Sequence, residues 1–318
     1  IDKMKIPYVD IKAQHEPLLP ELLLAVEKTL LSGKYILGDA LECFEEEFSA
    51  LCGTKYAIGV NSGTDALLLS MRALGVGVGD EVITVPNSYI TTASSIVLVG
   101  ARPVFVDVGA DYLINPDLIE AAITPKTKAI IPVHLTGKAC NMNAIMAIAK
   151  KHNLYVIEDA AQAVTAEYNS KPVGSFGDTG CFSLHPLKTL NACGDGGVIT
   201  TNDQALYETF KKLRNNGMVD RAHCQYWSSN SRLDEMQAAI LSVKLQYLAD
   251  WTNARIYNAE QYRQILQDCD DVILPKADIL SKSVYHTFVI QTKHRDALKS
   301  YLKEHGVSTA IHYPIPIH

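Results

Sequence analysis

Between residues 56 and 201, short apolar runs rich in Val and Ile alternate with segments whose apolar residues recur at helical spacing, and no other feature constrains the fold as tightly. Residues 56–60, 81–85, 103–108, 129–133 and 154–158 read as strands, and residues 64–74, 89–99, 116–123 and 142–151 as helices. A strand that is apolar throughout, rather than at every second position, is buried on both faces. Strands separated by helices imply a largely parallel sheet wrapped by helices, so the expected class is α/β.

After Asp203 the pattern changes. Residues 205–216 read as a helix and residues 234–263 as one long helix. A smaller region starts near Val272, with strands expected at 284–291 and 307–311 around a helix at 295–304. That is an α+β second domain, and it ends in the turn-like Tyr313-Pro314-Ile315-Pro316 just before His318. With 318 residues, 47% of them hydrophobic, the chain can bury one substantial core and a smaller second one.

The net charge is −6 and no polybasic run occurs, so neither a nucleic acid nor a membrane surface is an expected partner. A phosphorylated small molecule remains compatible, because a helix N-terminus and a few local cations can bind one. The seven cysteines are scattered without CxxC spacing, so no zinc site, other metal site or disulfide framework is expected. The first residues lack the apolar core of a signal peptide, and no apolar stretch is long enough to span a bilayer. A cytoplasmic location is expected.

In a parallel α/β sheet, ligands collect at the carboxyl ends of the strands. Three groups fall there. Asn61-Ser62-Gly63-Thr64-Asp65-Ala66-Leu67 follows a strand and opens a helix; it suits a phosphate, and it equally suits an ordinary N-cap. Glu158-Asp159-Ala160-Ala161-Gln162 ends a strand with carboxylates that could keep a ring nitrogen protonated, or simply cap the next helix. The third is the run from Phe182 to Asn191, with Ser183 and Lys188, followed by Gly194-Asp195-Gly196-Gly197. Beside Pro186, Leu187 and Leu190, a desolvated Lys188 would have a lowered pKa and could attack a carbonyl. Taken alone, it reads more readily as an exposed loop lysine than as a nucleophile. Tyr89, just past the strand at 81–85, could cover a planar ring, or it is a core or surface tyrosine. A phosphate site, a carboxylate and a buried lysine are the parts that pyridoxal phosphate (PLP) needs.

These pieces, with Asn230-Ser231-Arg232-Leu233-Asp234-Glu235 and His312-Tyr313-Pro314, occur in order from Ile6 to His318. The chain thereby resembles the nucleotide-sugar aminotransferases of the DegT/StrS type, in the aspartate aminotransferase superfamily of fold type I. The resemblance implies a mostly parallel seven-stranded sheet in a large PLP-binding domain (residues 1–250, with an N-terminal segment). It also implies a smaller α+β domain (residues 251–318), cut short because the family continues beyond His318. It further implies that Lys188 forms the covalent aldimine and moves the proton, with a pyridoxamine phosphate intermediate. Asp159 matches the carboxylate on the ring nitrogen, and Gln162 the neighbour of the ring hydroxyl. Gly63, Thr64 and Ser183 match phosphate-binding positions, and Tyr89 the stacked aromatic. Asn230 matches a residue reaching the partner subunit's cofactor, so a homodimer with shared sites is implied. His134, His185, Arg232, His312, Tyr313 and His318 are substrate-side or supporting candidates, each with an equally good structural reading.

By the same resemblance, the reaction is transfer of an amino group from L-glutamate to a nucleotide-linked keto-6-deoxyhexose in ping-pong fashion. The His185-Pro186-Leu187-Lys188 form and Asn230-Ser231-Arg232 lean toward a 3-keto over a 4-keto sugar. The chain departs from the family pattern at Thr189, where Asn is usual, at Ser228-Ser229 before Asn230, and at Thr136. The alternatives are a PLP-dependent sugar dehydratase, disfavoured because such relatives carry histidine in place of Lys188, and a non-catalytic PLP-binding homologue. A nicotinamide-dependent oxidoreductase is disfavoured because Gly75-Val76-Gly77-Val78-Gly79 follows a helix and leads into a strand, the reverse of a dinucleotide fingerprint.

Overall fold

The computed structural model describes residues 5–318. Helices α1 (Ile11–His15), α2 (Leu19–Ser32) and α3 (Asp39–Cys52) precede strand β1 (Tyr56–Val60). Next come α4 (Gly63–Ala73), β2 (Glu81–Thr84), α5 (Thr91–Leu98), β3 (Arg102–Phe105), β4 (Thr127–Ile130), α6 (Met142–His152) and β5 (Tyr155–Asp159). A small hairpin, β6 (Glu167–Tyr168) and β7 (Lys171–Pro172), leads to β8 (Thr179–Ser183), β9 (Gly197–Thr201) and α7 (Gln204–Leu213). Then follow α8 (Glu235–Leu245), α9 (Leu248–Leu266), β10 (Ser281–Lys282) and α10 (Arg295–Glu304).

The main sheet has seven strands in the order β1-β9-β8-β5-β4-β2-β3. Only β9 runs against its neighbours, pairing antiparallel with both β1 and β8. The other pairings are parallel, which leaves the carboxyl ends of β1, β2, β5 and β8 on one edge. The sheet is covered on both faces, as the apolar strands require. On one face Phe44 and Phe48 of α3 pack on Phe182 of β8, with ring centroids 5.7 and 5.1 Å apart along the series. On the other, Leu67 and Leu69 of α4, Ile96 of α5 and Phe210 of α7 pack on Ile58, Val60 and Ile199. All three phenylalanines on the first face are fully buried, so truncating any of them to Ala should cost about 3–5 kcal/mol.

Two buried carboxylates fasten the N-terminal helices. Glu235, at the start of α8, accepts the N–H groups of Gly38, Ala40 and Leu41 and so caps α3 from across the chain. Gly38 has to be small there, since a Cβ would sit 2.8 Å from Glu235 Oε1. Glu45 of α3 pairs with Arg214 and accepts the Gly59 N–H at 2.6 Å, tying α3 to β1.

Several elements differ from the sequence expectation. Residues 116–123 form two single 3₁₀ turns, Pro116–Leu118 and Glu120–Ala122, because the Asn115 side chain caps the first and Ile123 is already extended. The long helix expected at 234–263 is broken at Gln246–Tyr247, where the Tyr247 hydroxyl donates to Glu21 at 2.6 Å and its ring stacks on Trp251. The strands expected at 284–291 and 307–311 reduce to single bridges, Ile273 with Gln291 and Ile6 with Val307. Instead, residues 284–287 lie along Thr136 and Gly137, with Val284 N donating to Gly137 O at 2.9 Å. The helix at 295–304 is α10. The sheet owes β8 and β9 to segments whose glycines and threonines hide the strand pattern. Helix α9 runs without interruption across residues 250 and 251. Among the described residues, no helix is long and apolar enough to cross a membrane.

Candidate active site

The carboxyl edge of the sheet gathers the three sequence groups. At the end of β1, Ser62 caps α4 by accepting the Asp65 N–H at 3.1 Å. The first amides of a helix, here Gly63 and Thr64, have no acceptor within the helix and carry its positive pole. Gly63 is needed for its size, because a Cβ would lie 2.8 Å from Ser183 Cβ at the end of β8. The close approach puts the Ser183 side chain beside the start of α4, a cradle suited to a phosphate.

Lys188 sits on the turn after β8. Its own N–H donates to His185 O at 2.8 Å, and Asn191 Nδ2 donates to its carbonyl at 3.1 Å. Asn191 is held in turn by the buried Lys244 of α8, whose Nζ donates to Asn191 O at 2.8 Å and to Oδ1 at 2.9 Å. Gln14 and His15 of the N-terminal segment also bond the Asn191 side chain. The lysine therefore projects from an immobilised turn. Burial holds its amine below the usual lysine range, and the Asp159 carboxylate pulls partly the other way. Thr189 is buried beside it, its hydroxyl without a hydrogen-bond partner among the described residues.

Asp159 ends β5 and is buried. Burial raises its pKa, opposed by hydrogen bonds from the Thr92 hydroxyl (2.7 Å) and the Ala161 N–H (3.2 Å), and by the Lys188 amine. Gln162 Oε1 accepts the Thr136 N–H at 2.7 Å, and its amide donates to the Tyr313 hydroxyl at 3.1 Å. Tyr313 comes from the far end of the chain; burial pushes its phenol up to about 12. Tyr89, 57% exposed, lies with its ring centroid 5.9 Å from that of Tyr313. His312 stacks on Tyr8, whose hydroxyl is 3.4 Å from His312 Nδ1, and burial and Lys188 lower its pKa.

The remaining candidates are placed differently. His134 is fully buried with both ring nitrogens engaged: the Cys140 N–H donates to Nδ1, so the ring proton sits on Nε2 and faces Glu158 Oε2 at 3.0 Å. His185 is exposed, and its Nδ1 accepts the Leu187 N–H. Arg232 donates to Asn215 Oδ1 at 3.0 Å, and Asn230 is exposed on the same segment, which runs beside the start of α4. His318 lies against Phe105 at the end of β3. A cavity of about 320 Å³ lined by Asp111, Asn115, Asn141, Tyr168 and Asp278 shares no residue with this group.

Sequence reasoning missed Asn191, Lys244, Ser88, Thr92, Arg255 and His286. Asn191 lies in the Lys188 run, but nothing local shows that it anchors the turn. Arg255 of α9 donates to Tyr285 O and His286 O, and the half-buried His286 is held well below its usual pKa by desolvation, Lys188, Arg255 and His312. Neither has a motif around it.

The sequence profile of the DegT/DnrJ/EryC1/StrS aminotransferase family matches residues 19–318. The chain belongs to that family. It is 47% identical over 314 residues to a UDP-N-acetyl-3-dehydro-alpha-D-glucosamine 3-aminotransferase of Acidithiobacillus ferrooxidans, covering 98% of this chain and 85% of that protein. Among solved structures it is similar to Streptomyces venezuelae DesV in complex with a ketimine intermediate, with a TM-score of 0.97 and 42% identity over 99% of this chain and 85% of that one. It is also similar to Bacillus subtilis NtdA with bound cofactor PMP, with a TM-score of 0.91 and 31% identity over 99% and 73% of the two chains. The expected fold class and enzyme class both stand: the chain is a PLP-dependent sugar aminotransferase with a mostly parallel seven-stranded sheet. Its own residues fit the cofactor, with a cradle that excludes a Cβ at Gly63, a buried carboxylate with unused acceptor sites, and a desolvated amine.

Proposed function

We propose that the enzyme moves an amino group from L-glutamate to the 3-keto position of a nucleotide-linked 6-deoxyhexose, as a homodimer whose two sites share residues. The observation that carries the reading is the convergence, on one sheet edge, of the Gly63 cradle, the Asp159 carboxylate and the Lys188 amine. The 3-keto preference is supported by the 3-aminotransferase of A. ferrooxidans.

The Gly63 and Thr64 amides and the Ser183 hydroxyl would bind the phosphate of PLP, with Tyr89 over the ring and Gln162 at its hydroxyl. Bound PLP supplies an electron sink for the charge left when a proton leaves the amine-bearing carbon. Asp159 holds a proton on the ring nitrogen. Lys188 would hold the cofactor through Nζ and would move the proton at the amine-bearing carbon; its lowered pKa favours the neutral form this needs. Asn230 reaches the partner's cofactor. His185, Arg232, His312, Tyr313 and His318 line the sugar side, and His134 supports the wall from behind. Residues 1–250 hold the cofactor, and residues 251–318 form a second unit that contributes His312 and Tyr313.

The test is a panel of nucleotide 3-keto and 4-keto sugars with glutamate, read by 2-oxoglutarate release and the position of the new amine. A 3-amino product is expected, together with loss of at least about 10³-fold in turnover for Lys188→Ala. Deoxygenation without amine transfer, or turnover surviving in Lys188→Ala, would overturn the reading.

A further inference from the structure

Two buried hydroxyls lie next to Tyr89 in the chain, Ser88 in the same turn and Thr92 in the first turn of α5. Ser88 and Thr92 are 5% and 1% exposed, and Asp159 is 4% exposed. Thr92 Oγ1 donates to Asp159 Oδ2 at 2.7 Å, and Ser88 Oγ lies 2.8 Å from Thr92 Oγ1. A hydroxyl has one proton to give. Because that of Thr92 goes to Asp159, the Ser88 hydroxyl must donate to Thr92, and the series has one direction: Ser88 to Thr92 to Asp159. Hydroxyls in series polarise one another, and a hydrogen bond to a carboxylate is stronger than one between neutral groups.

We propose that Thr92, backed by Ser88, is the positioning residue that aims Asp159 at the cofactor's ring nitrogen and keeps it ionised. The inference rests on the reading of Asp159 as the partner of that nitrogen. A carboxylate offers about four acceptor sites. The Ala161 N–H takes one on Oδ1 and Thr92 one on Oδ2, which fixes the plane of the group and leaves capacity on both oxygens. Without Thr92, little besides the 3.2 Å contact from Ala161 would oppose rotation of the carboxylate or its protonation by burial. The charged and titratable groups that interact with Asp159 are Lys188, His134, Cys181 and Tyr313. Lys188 also favours its ionised form, without a hydrogen bond to the carboxylate among the described residues; His134 bonds only the Asp159 backbone, its N–H donating to the carbonyl at 3.0 Å, while its ring faces Glu158.

Thr92→Val keeps the branched shape and removes the hydroxyl, Thr92→Ser keeps the hydroxyl, and Ser88→Ala removes only the backing. Apoprotein titrated with PLP gives the affinity, and the pH dependence of the visible absorbance gives the ionisation of the bound cofactor. Thr92→Val should bind PLP about tenfold or more weakly and shift the absorbance transition, Thr92→Ser should stay within about twofold of the parent, and Ser88→Ala should lose about threefold. Parental affinity and titration in Thr92→Val would overturn the proposal, as would equal damage in Thr92→Ser, since the hydroxyl would then not be the cause. Should Thr92→Val not fold, the Ser88→Ala shift and the Thr92→Ser recovery decide in its place: a parental Ser88→Ala, or a damaged Thr92→Ser, overturns the proposal. Asp159→Asn separates the two readings. If it leaves PLP binding and absorbance unchanged, the role given to Asp159 itself fails; if it impairs both while Thr92→Val does not, only the positioning role fails.

Discussion

Strand β5 ends in two adjacent buried carboxylates that serve opposite sides of the sheet, as successive side chains of a strand must. Behind the site, Glu158 accepts His134 Nε2–H at 3.0 Å and the N–H groups of Gly174 (2.8 Å), Phe176 (2.7 Å) and Gly177 (2.9 Å). In front, Asp159 receives two donors and faces a desolvated lysine. Both residues are almost fully buried, so burial does not distinguish them. Unfilled acceptor capacity does. Glu158 is saturated and organises the 174–177 turn, whereas Asp159 is left partly unpaired where a ligand can use it.

Removing each carboxylate should therefore give stability effects of opposite sign. Glu158→Ala strands four donors, those of His134 and Gly174 buried and those of Phe176 and Gly177 half-buried, and should cost about 3–5 kcal/mol in chemical denaturation, whether or not cofactor is present. Asp159→Asn should act the other way on the apoprotein. Burial raises the folded-state pKa of Asp159 above its unfolded value, so its stabilising contribution is complete below the unfolded pKa and is lost as pH rises through the folded one. At neutral pH the charge is a cost, and the neutral amide should raise the melting temperature without cofactor while weakening PLP binding. An Asp159→Asn apoprotein that melts below the parent would break the contrast between the two residues.

The sequence makes the front of this edge more legible than its support. Gly63, Asp159 and Lys188 lie in compact motifs next to apolar strands, so chemistry and fold point to the same places. The devices that hold them are long-range. Lys244 reaches Asn191 from 53 positions away, Thr92 reaches Asp159 from 67, and the Tyr313 hydroxyl meets Gln162 across 151. A threonine in a helix or a lysine on an apolar helix face gives no local sign of such a partner. His134 shows the converse, since a histidine at a strand end reads as chemistry until its two nitrogens are seen to be occupied by Cys140 and Glu158. The C-terminal strands were misplaced because residues 284–287 bond sideways to Thr136 and Gly137 rather than to a sheet. Tertiary hydrogen bonding overrode strand propensity there.

The smallest expected effect concerns the two histidines beside Lys188, His286 and His312. His286 has a buried Nδ1 with no hydrogen-bond partner among the described residues, and burial, Lys188, Arg255 and His312 all disfavour its charged form. Its folded-state pKa lies well below the ordinary 6.5, so below about pH 6.5 the unfolded chain binds a proton that the folded chain does not. Apoprotein stability should then fall as pH drops from neutrality, by up to about 1.4 kcal/mol per pH unit for this one group. His312, lowered by burial and Lys188, adds in the same direction. Replacing His286 by Gln should flatten that acid limb between about pH 6.5 and 5 in urea titrations of the apoprotein. An acid limb equally steep in His286→Gln would place the proton uptake elsewhere, and the front of the site would lose its distinction as the side where charge is held back.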